Sequence, residues 1–346
     1  MNHEKFGQLR SLIAKRPLPI EALMNQLDEM YRDDPQRYIE QLIGYLEHVP
    51  WPRLLCCTED TIEQYDRLLP SGIKFRLRLT HYSHHTANLD RLFAHTKRIE
   101  ALSFSGSFTS LTRALAKQPL MLKSLYIHSA GDFNPAKMPD LPLEYLSLYN
   151  CQGAWPWLEQ YPSLKQLELI DADLELSGKQ LHELKYLTCS NSQLTGQTDA
   201  LLFNMPKLVQ LDVGRRTFDG ATIEILLGQG SFQLEDFRAD ASGLTSTVLE
   251  TLSRHPLRQL DLADNPIESL EHLPKLPQLM TLNLNGCPIK HLGTLDENLP
   301  SLTSLCIDRV ELTRQLFELC LNMPHMKNLE TFDEYIQSRE AIEHLY

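Results

Sequence analysis

The sequence predicts an α/β fold of the repeat class, a row of short strands each followed by a returning helix or turn, with a helical region in front. Three observations predict it. An apolar pattern spaced L-x-x-L-x-L recurs along most of the chain, as in Leu257, Leu260 and Leu262 of "LRQLDLADNPI". One such unit has a single apolar face and cannot bury it alone, so only stacked copies make a core. The segments between copies change to helical periodicity or are cut short by Pro and Gly, and residues 4 to 70 show helical spacing without the repeat.

Ten copies are anchored on Ile99, Leu122, Leu143, Leu164, Leu184, Leu208, Leu234, Leu257, Leu279 and Leu302, at intervals of 20 to 26 residues. Three residues beyond each anchor stands Leu102, Leu125, Leu146, Leu167, Leu187, Leu211, Phe237, Leu260, Leu282 or Leu305. With this spacing residues 99 to about 312 resemble the leucine-rich-repeat family, whose repeats run about 20 to 29 residues. The resemblance implies an α/β leucine-rich-repeat solenoid with a concave parallel sheet, a convex side that mixes helices and turns, and an N-terminal helical cap. The sequence departs from the family at its asparagine rung. Only Asn265 keeps Asn there; Ser107, Ala130, Cys151, Ala172, Ser192, Arg216, Ser242, Cys287 and Val310 fill the others, so the Asn hydrogen-bond ladder is expected to be mostly absent.

Along the chain, residues 1–72 read as a helical N-terminal region. Ile20, Leu23, Leu27, Met30 and Tyr31 fall at helical spacing, Asp34-Pro35 reads as a cap with proline at the first helical position, and Ile62, Tyr65, Leu68 and Leu69 form a further apolar stripe. "KFRLRLTH" then alternates Phe75, Leu77 and Leu79 with charges and reads as a degenerate first turn anchored on Lys74. Residues 73–325 are the expected solenoid and 326–346 its C-terminal cap, with a last L-x-x-F from Leu329 and a short closing helix. On the convex side, "GATIEILLGQGS", "TSTVLETLSRHP" and "TRQLFELCLNMP" carry helical periods, whereas "ESLEHLPKLP" and "KHLGTLDENLP" leave room for a turn or two. A solenoid's first turn bares an apolar end, and the N-terminal helices are expected to cover it.

Composition narrows the function. The chain has 346 residues, 42% of them hydrophobic and 23% charged, and no apolar run approaches the ~18 residues that span a bilayer, so membrane insertion is not expected. The start "MNHEKFGQLRSLIAKRPLP" lacks the apolar core of a signal peptide, and the seven cysteines are not paired at disulfide-like spacings; a cytoplasmic, reducing setting is expected. A formal net charge of −12 speaks against a nucleic-acid partner and permits a basic protein partner. Phosphate-loop, dinucleotide, nucleophile-elbow and H-E-x-x-H signatures are absent from the sequence. His81, His84 and His85, with Cys56 and Cys57 upstream, are the one group with ligand chemistry; adjacent cysteines seldom ligate one ion, so no metal or other cofactor is expected.

What remains is the sheet face opposite the leucines, made by the second, fourth and sixth residues after each anchor. It divides into two zones. Tyr126, His128, Tyr145, Tyr149 and Tyr186 lie on three of four neighbouring strands, with Ile170 on the fourth, and tyrosines of this kind serve as interface anchors. Glu168, Asp212, Asp236, Asp240, Asp261 and Asp308 follow, opposed by Arg238 alone, so the thirty positions carry a net −5. An even spread of −12 would give them about −1, and such an excess attracts cations. Aspartate at the fourth offset is also frequent in the family, so Asp212 and Asp261 read equally as consensus residues.

The expectation is a non-enzymatic intracellular module that recognises a partner protein through its concave face. Tyr126, His128, Tyr145, Tyr149, Glu168, Tyr186, Asp212, Asp236, Arg238, Asp240 and Asp261 are its candidate contacts. Two alternatives stay open: an effector or toxin-neutralising protein that uses the same surface, and a structural component that self-assembles. The sequence leaves the oligomeric state undetermined.

Overall fold

The computed structural model describes residues 54–59, 62–63, 66, 74–82, 86–95, 97–117, 121–128, 138–154, 160–176, 181–192, 194–196, 205–215, 219–308, 314–330 and 335–336. Its strands are β1 (Leu54–Thr58), β2 (Lys74–Tyr82), β3 (Ile99–Gly106), β4 (Ser124–His128), β5 (Tyr145–Tyr149), β6 (Gln152–Ala154), β7 (Gln166–Ile170), β8 (Asp173–Leu176) and β9 (Tyr186–Ser190). They continue as β10 (Leu194–Gly196), β11 (Gln210–Asp212), β12 (Asp236–Arg238), β13 (Gln259–Asp261), β14 (Thr281–Asn283), β15 (Ser304–Cys306), β16 (Asn328–Glu330) and β17 (Tyr335–Ile336). Fourteen of them form one sheet in chain order; the small strands β6, β8 and β10 form a second, parallel sheet that the spacing of the leucines does not announce. The large sheet is parallel throughout except where β17 closes it antiparallel to β16.

The register explains the repeat. Leu77, Leu102, Leu125, Leu146, Leu167, Leu187, Leu211, Phe237, Leu260, Leu282, Leu305 and Leu329 are partners from strand to strand, each buried, so one apolar file runs the length of the solenoid. A side chain in that file touches copies of itself above and below, which is why the spacing tolerates so little variation in residue type. The returning segments sort as their periods imply. Helices form at Thr86–His95 (α1), Phe108–Lys117 (α2), Gly220–Gln229 (α3) and Arg314–Asn322 (α6). Val248–Thr251 (α4) and Leu295–Asn298 (α5) make single turns.

Both ends differ from expectation. Within residues 1–72, β1 is a strand, and it pairs in parallel with β2, so the sheet reaches at least one strand upstream of Lys74. In β2 a register shift between Phe75 and Arg76 sets Phe75 opposite Ile99. Phe75 is fully buried and fills the anchor slot in place of Lys74, which stays at the surface against Glu100. At the other end Leu329 lies in the file three residues beyond an anchor, and buried Met326 is that anchor; the repeat therefore continues one copy further. The helices expected before residue 54 and the closing helix after 336 lie outside the described residues, as do the rungs Arg216 and Val310 and the side chains of the histidine cluster.

The rung is not empty where asparagine is missing. Ser192 Oγ donates to the carbonyls of Leu169 and Ser190 and accepts from Ala172 N, each at 3.1 Å. Ser242 Oγ meets the carbonyls of Val213 and Asp240 at 3.1 and 3.2 Å, and Cys287 Sγ meets that of Leu262 at 3.2 Å. Hydroxyl and thiol groups thus take over part of the ladder that the loss of Asn was expected to abolish.

One residue before seven of the ten rungs the chain turns through left-handed backbone. Asn150, Asp171, Asn191, Arg215, Ala241, Asp264 and Gly286 have φ of 51, 51, 51, 61, 50, 55 and 76°. Asn, Asp and Gly accept this region at low cost, whereas alanine pays about 1 kcal/mol or more for its Cβ. Ala241→Gly is accordingly expected to raise the unfolding free energy by about 0.5 to 1 kcal/mol in urea denaturation, after the entropy that glycine adds to the unfolded chain. A loss of stability would show that the turn is not strained.

Candidate partner-binding face

The strand alternation delivers the candidate residues to one side. Along β4, β7 and β9 the leucine-file positions are buried and the positions between them are not, so Tyr126, His128, Glu168 and Tyr186 leave the core face together. Tyr126 and Tyr145 are in ring contact, with centroids 4.6 Å apart, and His128 lies 5.9 Å from Tyr149. Tyr145 donates its hydroxyl hydrogen to Glu168 Oε2, and Gln166 Nε2 donates to Oε1 at 2.9 Å, so both carboxylate oxygens are held. Burial, and then the adjoining Glu168 carboxylate, push the Tyr145 hydroxyl pKa well up, and it stays a neutral donor. Burial and then the Arg78 charge lower the pKa of His128, which favours its neutral form. Tyr149 and Tyr186 are each 41% exposed, and Tyr186 makes no ring contact among the described residues. The aromatic zone is therefore a linked pair of tyrosines beside two more available rings, not one continuous stack.

The aromatic zone also contains residues that the repeat count passed over. Arg76 and Arg78 on β2 occupy the same outward columns, since Arg78 pairs with Ser103 and Ser103 with Tyr126. Arg76 Nη2 donates to the Tyr126 hydroxyl at 2.8 Å, and its guanidinium carbon lies 4.9 Å from that ring's centroid. The signal was present in "KFRLRLTH", whose charges alternate with buried Phe75, Leu77 and Leu79. It was missed because the outward columns were counted over the ten copies from Ile99 and left out the first turn anchored on Lys74, whose second and fourth offsets are Arg76 and Arg78.

In the acidic zone several carboxylates have structural partners. Asp212 Oδ1 accepts from Gly214 N at 3.2 Å, Asp261 Oδ1 from Ala263 N at 3.1 Å, and Asn283 Oδ1 from Asn285 N at 3.1 Å. The fourth-offset residue thus closes the strand end by taking a backbone N–H two residues on. This is a physical reason for aspartate there that needs no partner. Asp261 also accepts from Asn283 Nδ2 at 3.1 Å, and Asp308 accepts from Gly286 N. Arg238 bridges both oxygens of Asp236 at 3.2 and 3.0 Å and reaches Gln259 at 3.4 Å. Asp240 Oδ1 lies where a Cβ on Gly214 would sit, which makes Gly214 necessary to that approach, and Arg215 stands 3.8 Å from its other oxygen. Burial is the main cause that raises the pKa of Asp212, with Asp240 and Asp236 adding to it against the Gly214 hydrogen bond and Arg238.

Among the described residues no group of three or more His, Cys, Asp or Glu could hold a metal ion, and no helix is long and apolar enough to cross a membrane. Cys57, Cys151, Cys189, Cys287 and Cys320 are buried.

The chain is a leucine-rich-repeat solenoid, defined by its own parallel strands, its continuous leucine file and the left-handed turn that precedes seven of its rungs. No protein-family model and no curated protein sequence matches it. Among solved structures it is similar to a mouse RP105/MD-1 complex, at 18% identity over 80% of this chain and 50% of that one, with a TM-score of 0.46. A Latrophilin 3, Unc5D and FLRT2 complex gives 17% identity, 75% coverage of both chains and a TM-score of 0.42. A yeast Rad7 and Elc1 complex gives 13%, 94% of both chains and 0.37. The chain spans about half the length of the first of these.

Proposed function

We propose that the chain is a non-enzymatic protein-binding module that takes its partner on the concave face. The observation that carries this reading is the exposure of Tyr149 and Tyr186, 41% each, beside the Tyr126–Tyr145 pair on the outward face of the sheet. Large rings left in water on a rigid sheet favour a partner that covers them, and they lose little rotamer freedom when covered. The acidic zone beyond them favours a basic partner surface, and cysteines buried as small apolar side chains in the core favour a reducing, intracellular setting.

The test begins with a partner recovered by affinity purification. Tyr149→Ala is expected to raise the dissociation rate and weaken binding by about 2 kcal/mol, as truncation of an interface anchor does. Asp236→Lys with Asp240→Lys should instead slow association, and added salt should slow the wild type in the same direction. Asp261 is the wrong choice for that pair because it holds Ala263 N in the strand-end turn. Unchanged kinetics in both variants would place binding elsewhere on the solenoid.

A further inference from the structure

We infer that the concave face is electrically polar along its length and selects a partner of the opposite polarity in one direction only. The inference rests on the concave-face reading above and adds the chemistry and orientation of the partner. At the β2 end Arg76 and Arg78 face outward, with neither in an ion pair among the described residues, and the outward side chains of β3 and β4 carry no acid. His128 lies beside them. At the far end the outward columns from β11 to β16 hold Asp212, Asp236, Asp240, Asp261, Asp308 and Glu330 against Arg238, a net −5.

The two ends act separately. β2 and β12 are seven strand steps apart in the sheet, roughly 34 Å at the usual ~4.8 Å spacing. Screening in physiological salt falls off over about 8 Å, so neither end cancels the other. Between them lie the exposed rings of Tyr149 and Tyr186 and the single carboxylate of Glu168. A uniformly basic ligand gains at the acidic end and is repelled at Arg76 and Arg78. An elongated ligand with a basic part over β11 to β15 and an acidic part over β2 and β3 gains at both, and reversing it sets like charges together at both. Charge complementarity therefore points to a two-signed partner segment or surface, lying along the arc.

Synthetic peptides test this without the natural partner. One carries four glutamates and four lysines joined by a Gly-Ser spacer of about 20 residues, whose mean reach is about 25 Å and whose limit exceeds the span. Controls replace the glutamates or the lysines with glutamine, and a short-spacer control joins the two charged blocks through a single glycine, so that the whole peptide extends to at most about 32 Å, short of the span. Fluorescence anisotropy with the full chain at low salt is expected to show the long two-signed peptide binding at least tenfold tighter than the lysine-only peptide. The short-spacer peptide should lose that increment. Arg78→Glu, at an exposed side chain in no ion pair among the described residues, should bring the long peptide to or below the lysine-only level while melting behaviour stays that of wild type; Asp236→Lys with Asp240→Lys should abolish binding of every lysine peptide.

Equal binding of the two-signed and lysine-only peptides overturns the polarity while leaving the acidic zone as a docking site. Failure of every peptide to bind overturns the charge-steered concave face as well. An increment that survives Arg78→Glu and Arg76→Glu together assigns the second charge contact to another surface and also overturns the inference.

Discussion

Asn265→Ala is expected to lower the unfolding free energy by about 3 to 4 kcal/mol, more than any other single polar substitution on the rung. Asn265 is 1% exposed. Its Oδ1 accepts from Ser242 N at 3.0 Å and Leu244 N at 2.9 Å. Its Nδ2 donates to the carbonyls of Ala239, Leu262 and Ala263 at 2.8, 2.9 and 3.1 Å. Truncation leaves two buried N–H donors without an acceptor, at about 1 to 3 kcal/mol each before relaxation, and a small cavity besides. Asn265→Ser is the informative companion. Ser192 already accepts one N–H and donates to two carbonyls at the same rung, so serine should recover about half of the loss. Urea denaturation of the three proteins decides it; a loss below about 1 kcal/mol for alanine would mean that water or backbone movement satisfies the turn.

That contrast also separates what was legible in the sequence from what was not. The leucine file was legible because one geometric demand, burial between identical neighbours, repeats at every strand and admits few residue types. The rung was only partly legible. Its demand is for hydrogen-bonding groups in a tight space, which Asn meets completely and Ser or Cys meets in part, so a search for Asn understates it. The concave columns followed from strand alternation, which placed Tyr126, Tyr145, Glu168 and Tyr186 on the expected face. Their pairings did not follow, because the bonds from Arg76 to Tyr126 and from Tyr145 to Glu168 depend on rotamers, which leave no spacing in the chain. Arg76 itself was legible at the second offset from Lys74 and was lost only because the degenerate first turn was left out of the column count. The double meaning of Asp212 and Asp261, as turn closers and as surface charge, shows why counting acids overstates a docking site.

Stability is expected to fall as the solution is acidified below about pH 6.5, with His255 as a principal cause on the convex side. His255 is buried, its ring stacks on Phe232 at 5.9 Å, Nδ1 accepts from Leu234 N at 3.4 Å, and Nε2 lies 3.1 Å from the Leu227 carbonyl. These bonds select the neutral tautomer with hydrogen on Nε2. Burial, with a lesser contribution from the Arg254 charge, lowers the His255 pKa, although the Leu227 bond opposes the change. An unfolded histidine titrates near pH 6.5, so between that value and the lower folded value the unfolded chain binds a proton that the native chain does not. The folded state therefore has the full benefit of the neutral ring above about pH 6.5 and loses it as pH falls toward the folded pKa, by at most about 1.4 kcal/mol per pH unit. His255→Phe should remove this part of the slope. It should also cost about 2 to 3 kcal/mol at pH 8, because Leu234 N and the Leu227 carbonyl lose their partners. The chain has 13 histidines, so the slopes of wild type and variant must be compared, by urea denaturation at pH 5, 6, 7 and 8. Parallel slopes would show that His255 protonates as readily in the folded chain as in the unfolded one, and that the convex side opens to admit the proton.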